Sequence, residues 1–296
     1  MDDLKKYYEY HRKSSVAKDI DPANDTLRYI SNRFELNIEQ RYWLAFLYAC
    51  TYSPTTAYYI YNEFPDFENV DVNRLQRWWD MNKKVLIFQT DRLRVKSSNQ
   101  FVAAFQSYKE LIGSSTQHNF FCSLILSTPD KSYDNVYQKS SGIFTFGRFT
   151  LFIYLEMLHV LTGLDIEPTT LNLKEAESCR NGVALAFSMY SLNTHGTELK
   201  ITPSEIELLQ NMFTEIKNHV QKMSIEHTNI WNIETTLCAY KKWRLGKRYV
   251  GFYIDRAGAE ITKMSQSITD GIDWSPLWDF RKETYEHFRL KELQNK

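Results

Sequence analysis

The stretch NIEQRYWLAFLYAC, residues 37–50, decides the fold. Asn37 followed three residues later by Gln40 is the pattern of a capping box, in which side chains and backbone amides satisfy each other at a helix start. From Arg41 onward nearly every side of a helix would be apolar, and strand-like alternation is missing. The segment therefore predicts a helix buried all round, at the centre of a core.

The flanks are helical as well. Asp21 before Pro22 predicts an N-cap with proline at the first helical position, and Leu27, Ile30 and Phe34 then share one face. Ser53 and Pro54 restart the chain into TTAYYIYNEF, which ends at Pro65. Asp71 caps VNRLQRWWDMNKK, whose cations gather at its end, where the helix dipole favours them. Helical periodicity returns over 99–112, 116–126, 147–162, 174–190, 203–224, 231–244 and 253–267. Only VLIFQTDRLRV, residues 85–95, predicts a short extended segment. No G-x-G-x-x-G follows a strand, and no repeat of about 20–50 residues occurs, so dinucleotide-binding and solenoid folds are excluded. The expectation is an all-α, single-unit multi-helical array over 1–296: a helical extension over 1–36, a core over 37–256 and a C-terminal helical segment over 257–296.

The 296 residues carry 19 Tyr, 18 Phe and 7 Trp, enough rings to fill a large core and leave a few for a pocket. Lys and Arg number 36 against 36 Asp and Glu, which removes any strong global field, so a contact with nucleic acid must be local. The polar opening MDDLKKYYEYHRK and the shortness of the longest apolar run lead to the expectation of a cytoplasmic protein without membrane contact. Cys50, Cys122, Cys179 and Cys238 form no CxxC pair and are expected as thiols. The one ExxH, Glu156 to His159, would need a second copy to resemble a di-iron site, and no metal ligands are assigned. P-loop, nucleophile-elbow and zinc-deaminase motifs are absent, which removes the usual kinase, hydrolase and deaminase readings.

Four clusters can carry chemistry. In LKEAESCRNG, residues 173–182, helical spacing sets Glu175 with Cys179, and Glu177 with Arg180 and Asn181, on adjacent faces. A solvated helix with internal ion pairs would look the same. In residues 231–256, Glu234, Cys238 and Lys241 line one face, and Lys241, Lys242, Arg244, Lys247 and Arg248 make a basic edge suited to phosphate. Tyr253, Asp255 and Arg256 follow: a ring that can stack on a flipped base, an acid that can take a proton from an amine, and a cation. Asp91 with Arg92, and Arg148 at a helix start with Glu156 two turns on, are either anion sites or structural ion pairs.

Taken in order, RYWLAFLYACTYSPTTAYYIYNEFP, the TDR of 90–92, GRFTLFIYLEMLH, LKEAESCRNG, ETTLCAYKKW and GFYIDR resemble the alpha-glutamyl/putrescinyl thymine pyrophosphorylases. These are the amino acid:DNA transferases of bacteriophages that hypermodify thymine. The resemblance covers about residues 38–256 and extends in part to the helical domain of 5-hydroxymethyluracil DNA kinases. It implies a helical fold distantly like DNA glycosylases, although GIFTFGRFT lacks their tight glycine hairpin. It also implies a reaction in an infected bacterial host: an amino acid or polyamine displaces pyrophosphate from 5-pyrophosphoryloxymethyl-deoxyuridine in DNA. A phage DNA kinase would act in the same pathway. The alternative is a non-catalytic helical DNA-binding partner of such a kinase.

For that reaction the leaving pyrophosphate needs fixed cations, and Arg92, Arg148, Arg180, Lys241 and Arg256 are the candidates. The attacking amine must lose a proton, to Glu175, Glu177 or Asp255. Tyr52 or Tyr253 is placed to stack on the extruded base. A Mg2+ ion accompanying the pyrophosphate is compatible with this chemistry. These groups are expected to converge on one cavity.

Overall fold

The capping box forms as its spacing requires: Asn37 Oδ1 accepts from the Gln40 amide and Gln40 Oε1 from the Asn37 amide, each at 3.0 Å. In the computed structural model, which describes residues 2–89, 95, 100–189 and 202–285, this cap opens the third of fourteen helices among the described residues. They are α1 Asp2–Val16, α2 Pro22–Arg33, α3 Ile38–Thr51, α4 Pro54–Glu63, α5 Val72–Asn82, α6 Gln100–Ile112, α7 Gln117–Cys122, α8 Pro129–Ser140, α9 Arg148–Thr162, α10 Glu177–Ala186, α11 Pro203–Val220, α12 Ile230–Arg244, α13 Phe252–Ser267 and α14 Ser275–Tyr285. The described residues contain no strand, so the fold is all-α. None of these helices is long and apolar enough to cross a membrane.

The chain forms two compact units. The described part of the first comprises 2–22 and 168–255; that of the second comprises 23–167 and 256–285. The boundaries fall at α2, after α9 and inside α13, with no linker composition to mark them.

In the second unit α3 is buried from Tyr42 to Thr51 and packs against α4 and α9. Phe46 stacks on Tyr108 at 4.4 Å and on Phe146 at 5.5 Å, and meets Tyr154 edge-on. Several polar tips in this core satisfy one another in sequence. Tyr154 Oη donates to Tyr108 Oη, Tyr108 donates to Gln117 Oε1, and the Gln117 amide nitrogens donate to Glu39. Trp43 Nε1 donates to the Phe64 carbonyl at 2.7 Å.

Several helical expectations change in detail. Residues 85–89 of the predicted extended segment are loop: the Ile87 amide and carbonyl both bond the Thr56 hydroxyl, so no partner strand is needed. The helix expected over 116–126 stops at Cys122, where the chain turns through Ser123. Helix α8 was not expected. Half of its buried stripe is Ser132 and Ser140, residues that apolar periodicity does not register.

The first unit is built from α1, α10, α11, α12 and the start of α13. Tyr7 and Tyr10 of α1 pack on Tyr240 and Trp243 of α12. His11 is fully buried, its Nε2 donating to the His227 carbonyl at 2.8 Å and its Nδ1 lying 2.9 Å from the Thr236 hydroxyl. Burial pushes the imidazole down to about 4, so the ring is neutral. Asp21, expected as a cap, accepts from the Thr235 hydroxyl at 2.7 and 2.9 Å.

Phe46→Ala should lower the unfolding free energy by roughly 3–5 kcal/mol, as measured by urea denaturation. The folded pKa of His11 lies below its unfolded value of 6.5, so its contribution to stability is present above 6.5 and lost as pH falls toward about 4. The stability difference between the wild type and His11→Gln should therefore shift against the wild type by on the order of 3 kcal/mol between about pH 7 and about pH 4.

Candidate functional site

Two of the four sequence clusters meet in the first unit. Helices α10 and α12, which carry LKEAESCRNG and ETTLCAYKKW, form the main packing pair of that unit. Gly182 makes their close approach possible: a Cβ there would lie 2.3 Å from the Leu237 carbonyl oxygen and 2.8 Å from its carbon. One turn before Gly182 on α10 stands Cys179, and the turns flanking Leu237 on α12 carry Glu234 and Cys238. The three side chains converge, with Cys179 Sγ 3.0 Å from Glu234 Oε1 and 3.1 Å from Cys238 Sγ, and Cys238 Sγ 3.2 Å from the same carboxylate oxygen.

Around this seam the predicted residues take different roles. Glu177 opens α10 and is exposed, as is Glu175 in the preceding turn. Arg180 is half-buried; its Nη1 donates to the Leu173 and Lys174 carbonyls at 3.2 and 2.8 Å and ties down the entry to α10. Its Nε and the Asn181 Oδ1 are buried without a hydrogen-bond partner among the described residues. Lys241 lies half-buried one turn beyond Cys238. Of the basic edge, Arg244 is paired with Asp3 at 2.6 Å, and Lys242 and Lys247 stand exposed.

Asp19 holds the start of α13, its carboxylate accepting from the amides of Gly251, Tyr253 and Ile254 at 2.8–3.1 Å. Asp255 accepts from the Tyr249 hydroxyl at 2.6 Å, and that bond, with burial, pushes the Tyr249 phenol up to about 12. The Arg248 guanidinium lies 4.8 Å from the Tyr253 ring centre and bonds its hydroxyl, so this ring already has a cation against it.

The remaining candidates belong to the second unit. Arg256 lies 3.4 Å from Glu260 Oε1 and donates to the Gln89 carbonyl at 2.5 Å. Glu260 also accepts from Ser53 and Gln89, and burial pushes its carboxyl up. Arg256 is thus half of an ion pair with a buried glutamate, not with the neighbouring Asp255. Arg148 is the first residue of α9, with Gly147 as cap, and Glu156 on the same helix accepts from Asn24 at 2.8 Å. Tyr52 ends α3 in the left-handed conformation, φ 49°, with Phe149 edge-on at 5.5 Å. Arg92 and Asp91 lie outside the described residues.

Sequence spacing placed Glu234, Cys238 and Lys241 on one helical face but missed Cys179 beside them, because that cysteine comes from a helix 55 residues earlier than Glu234. The only available signal was a small residue, Gly182, three positions after Cys179. Gly182→Ala should destabilise the protein by about 3 kcal/mol or more, the upper end of overpacking costs, because the atoms in the way are backbone. Gly142→Ala, whose Cβ would make only an ordinary 3.6 Å contact, should change thermal stability little by comparison.

The chain is similar to a serinyltransferase of Salmonella phage ViI, 28% identical over 262 residues, which are 82% of this chain and 63% of that protein. A family profile described as amino acid:DNA transferase matches residues 16–249. That match takes in α2 to α12, including the α10–α12 seam, and the chain therefore belongs to the amino acid:DNA transferase family.

Proposed function

We propose that the protein joins an amine, an amino acid such as serine in the first instance, to the exocyclic methylene of a pyrophosphorylated 5-hydroxymethyluracil in DNA. The observation that carries this reading is the family match over residues 16–249. Its support in the geometry is that α10 and α12, both inside that match, are packed together and carry Glu177, Arg180 and Lys241.

In this reaction the amine nitrogen forms a bond to the methylene carbon. The carbon–oxygen bond to pyrophosphate breaks with both electrons on oxygen, and the nitrogen loses a proton to a carboxylate. Arg180 is suited to the leaving group because its guanidinium is already oriented by two backbone carbonyls, while its Nε has no hydrogen-bond partner among the described residues. Lys241 of α12, Arg92 and Arg148 are further anion-binding candidates. Arg256 would have to give up Glu260 to contribute. Glu175 and Glu177 are exposed, where a diffusing amine can reach them, whereas Asp255 is fixed by Tyr249. The base would be extruded from the DNA stack, and Tyr52 and Tyr253 are the candidate rings for it to stack on. Such a substrate arises by phosphoryl transfer to a hydroxymethylated base, so a DNA kinase would act upstream.

Incubating the full chain with DNA containing the pyrophosphorylated base, and with serine, other amino acids or putrescine, should yield an amine-bearing nucleoside and one pyrophosphate per product. Nucleoside mass analysis and phosphate release read the two. Unmodified nucleosides from a protein that still binds the DNA would sink the transferase and leave a non-catalytic binding role. Arg180→Ala should lower kcat/KM by at least about 100-fold. Of Glu175→Gln, Glu177→Gln and Asp255→Asn, one should lower kcat by roughly 100- to 10,000-fold. If all three variants keep wild-type kcat, the proton acceptor lies elsewhere.

A further inference from the structure

The convergence of Cys179, Glu234 and Cys238 has no part in the proposed transfer. Its three ligand-type atoms lie within 3.0–3.2 Å of one another, between two helices held together at Gly182. Cys179 is buried, and Glu234 and Cys238 are half-buried. We propose that these residues form a binding site for a thiophilic divalent cation, with Zn2+ the best fit, held by two thiolates and one carboxylate.

The donor set favours this class of ion. Two sulfurs exclude Mg2+ and Ca2+ as natural occupants, whereas Zn2+ accepts sulfur and carboxylate oxygen together. The framework is also suitable. Glu234 and Cys238, four apart, project from one face of α12, and Cys179 approaches from the facing helix, so three donors surround one point without any loop. Zinc–sulfur bonds of about 2.3 Å and zinc–oxygen bonds of about 2.1 Å, tetrahedrally arranged, set donors roughly 3.5–3.8 Å apart. Each edge of the observed triangle would therefore open by about half an ångström, a change within reach of side-chain rotation.

Charge points the same way. The ionised forms of all three groups are anions and repel one another, and a dication at their centre turns that repulsion into attraction. Binding would release both thiol protons to solvent and leave one negative charge in excess. Three protein ligands leave the fourth position to water or an exogenous ligand. A disulfide is the competing use of two close sulfurs, but the carboxylate against both of them disfavours the thiolate through which disulfide exchange proceeds. The proposal draws only on the α10–α12 seam and stands whether or not the transfer reaction is right.

The test uses the full chain, reduced and stripped with a chelator, then titrated with Co2+ as a spectroscopic probe and with Zn2+ in competition. One Co2+ per chain should bind with a thiolate-to-cobalt charge-transfer band, Zn2+ should displace it, and Zn2+ should raise the melting temperature. Cys179→Ser, Cys238→Ser and Glu234→Gln should each weaken Zn2+ affinity by more than about tenfold, with unchanged helical circular dichroism, while Cys122→Ser should bind as the wild type does. Absence of the band in folded wild-type protein would overturn the proposal. So would a band that survives in both cysteine variants, or a Cys179–Cys238 disulfide that forms in the presence of excess Zn2+.

Discussion

The close approach of α10 to α12 at Gly182 is the constraint on which the first unit depends. A side chain at that position would drive a carbon atom into the Leu237 carbonyl, so the helices could not keep their spacing. With glycine the backbones come together, and everything one turn away is set by that distance: Cys179 reaches Glu234 and Cys238, and Arg180 and Lys241 are presented on neighbouring helices. A small residue in a helix interior sacrifices helix propensity, and here the loss is offset by the packing it permits.

The second unit solves a different problem. Its aromatic residues bury large surfaces, but tyrosines and tryptophans bring polar tips that are costly to leave unsatisfied. Tyr154, Tyr108, Gln117 and Glu39 pass hydrogen bonds from the α9 interior to the start of α3. Because each member fixes the next, that network specifies which ring faces which helix more tightly than apolar contact alone would.

Helices with caps and long apolar stripes, such as α3 with its Asn37–Gln40 box and α5 with Asp71, were legible because local chemistry and burial agree in them. Helix α8 was not, since serines fill half of its buried face, and neither was the division into two units, which no proline-rich or polar stretch announces. At the candidate site the sequence identified residue types and helical faces, including Glu234 and Cys238. It could not distinguish an arginine held by backbone carbonyls from one paired with an acid: Arg180 and Arg256 look alike in one dimension. Pairings across 55 or more residues depend on how helices pack, and helical period carries no information about that.

Helix α1 has an implication for how the first unit folds. Tyr7, His11 and Asp19 take hydrogen-bond partners between residues 227 and 254, more than two hundred positions further along the chain. Contacts at that separation form only after a long stretch of chain has been closed into a loop, the kind of non-local pairing that slows folding. Without α1 and the Asp19 that follows it, α12 would lose one of its packing partners and the start of α13 the carboxylate that receives its amides.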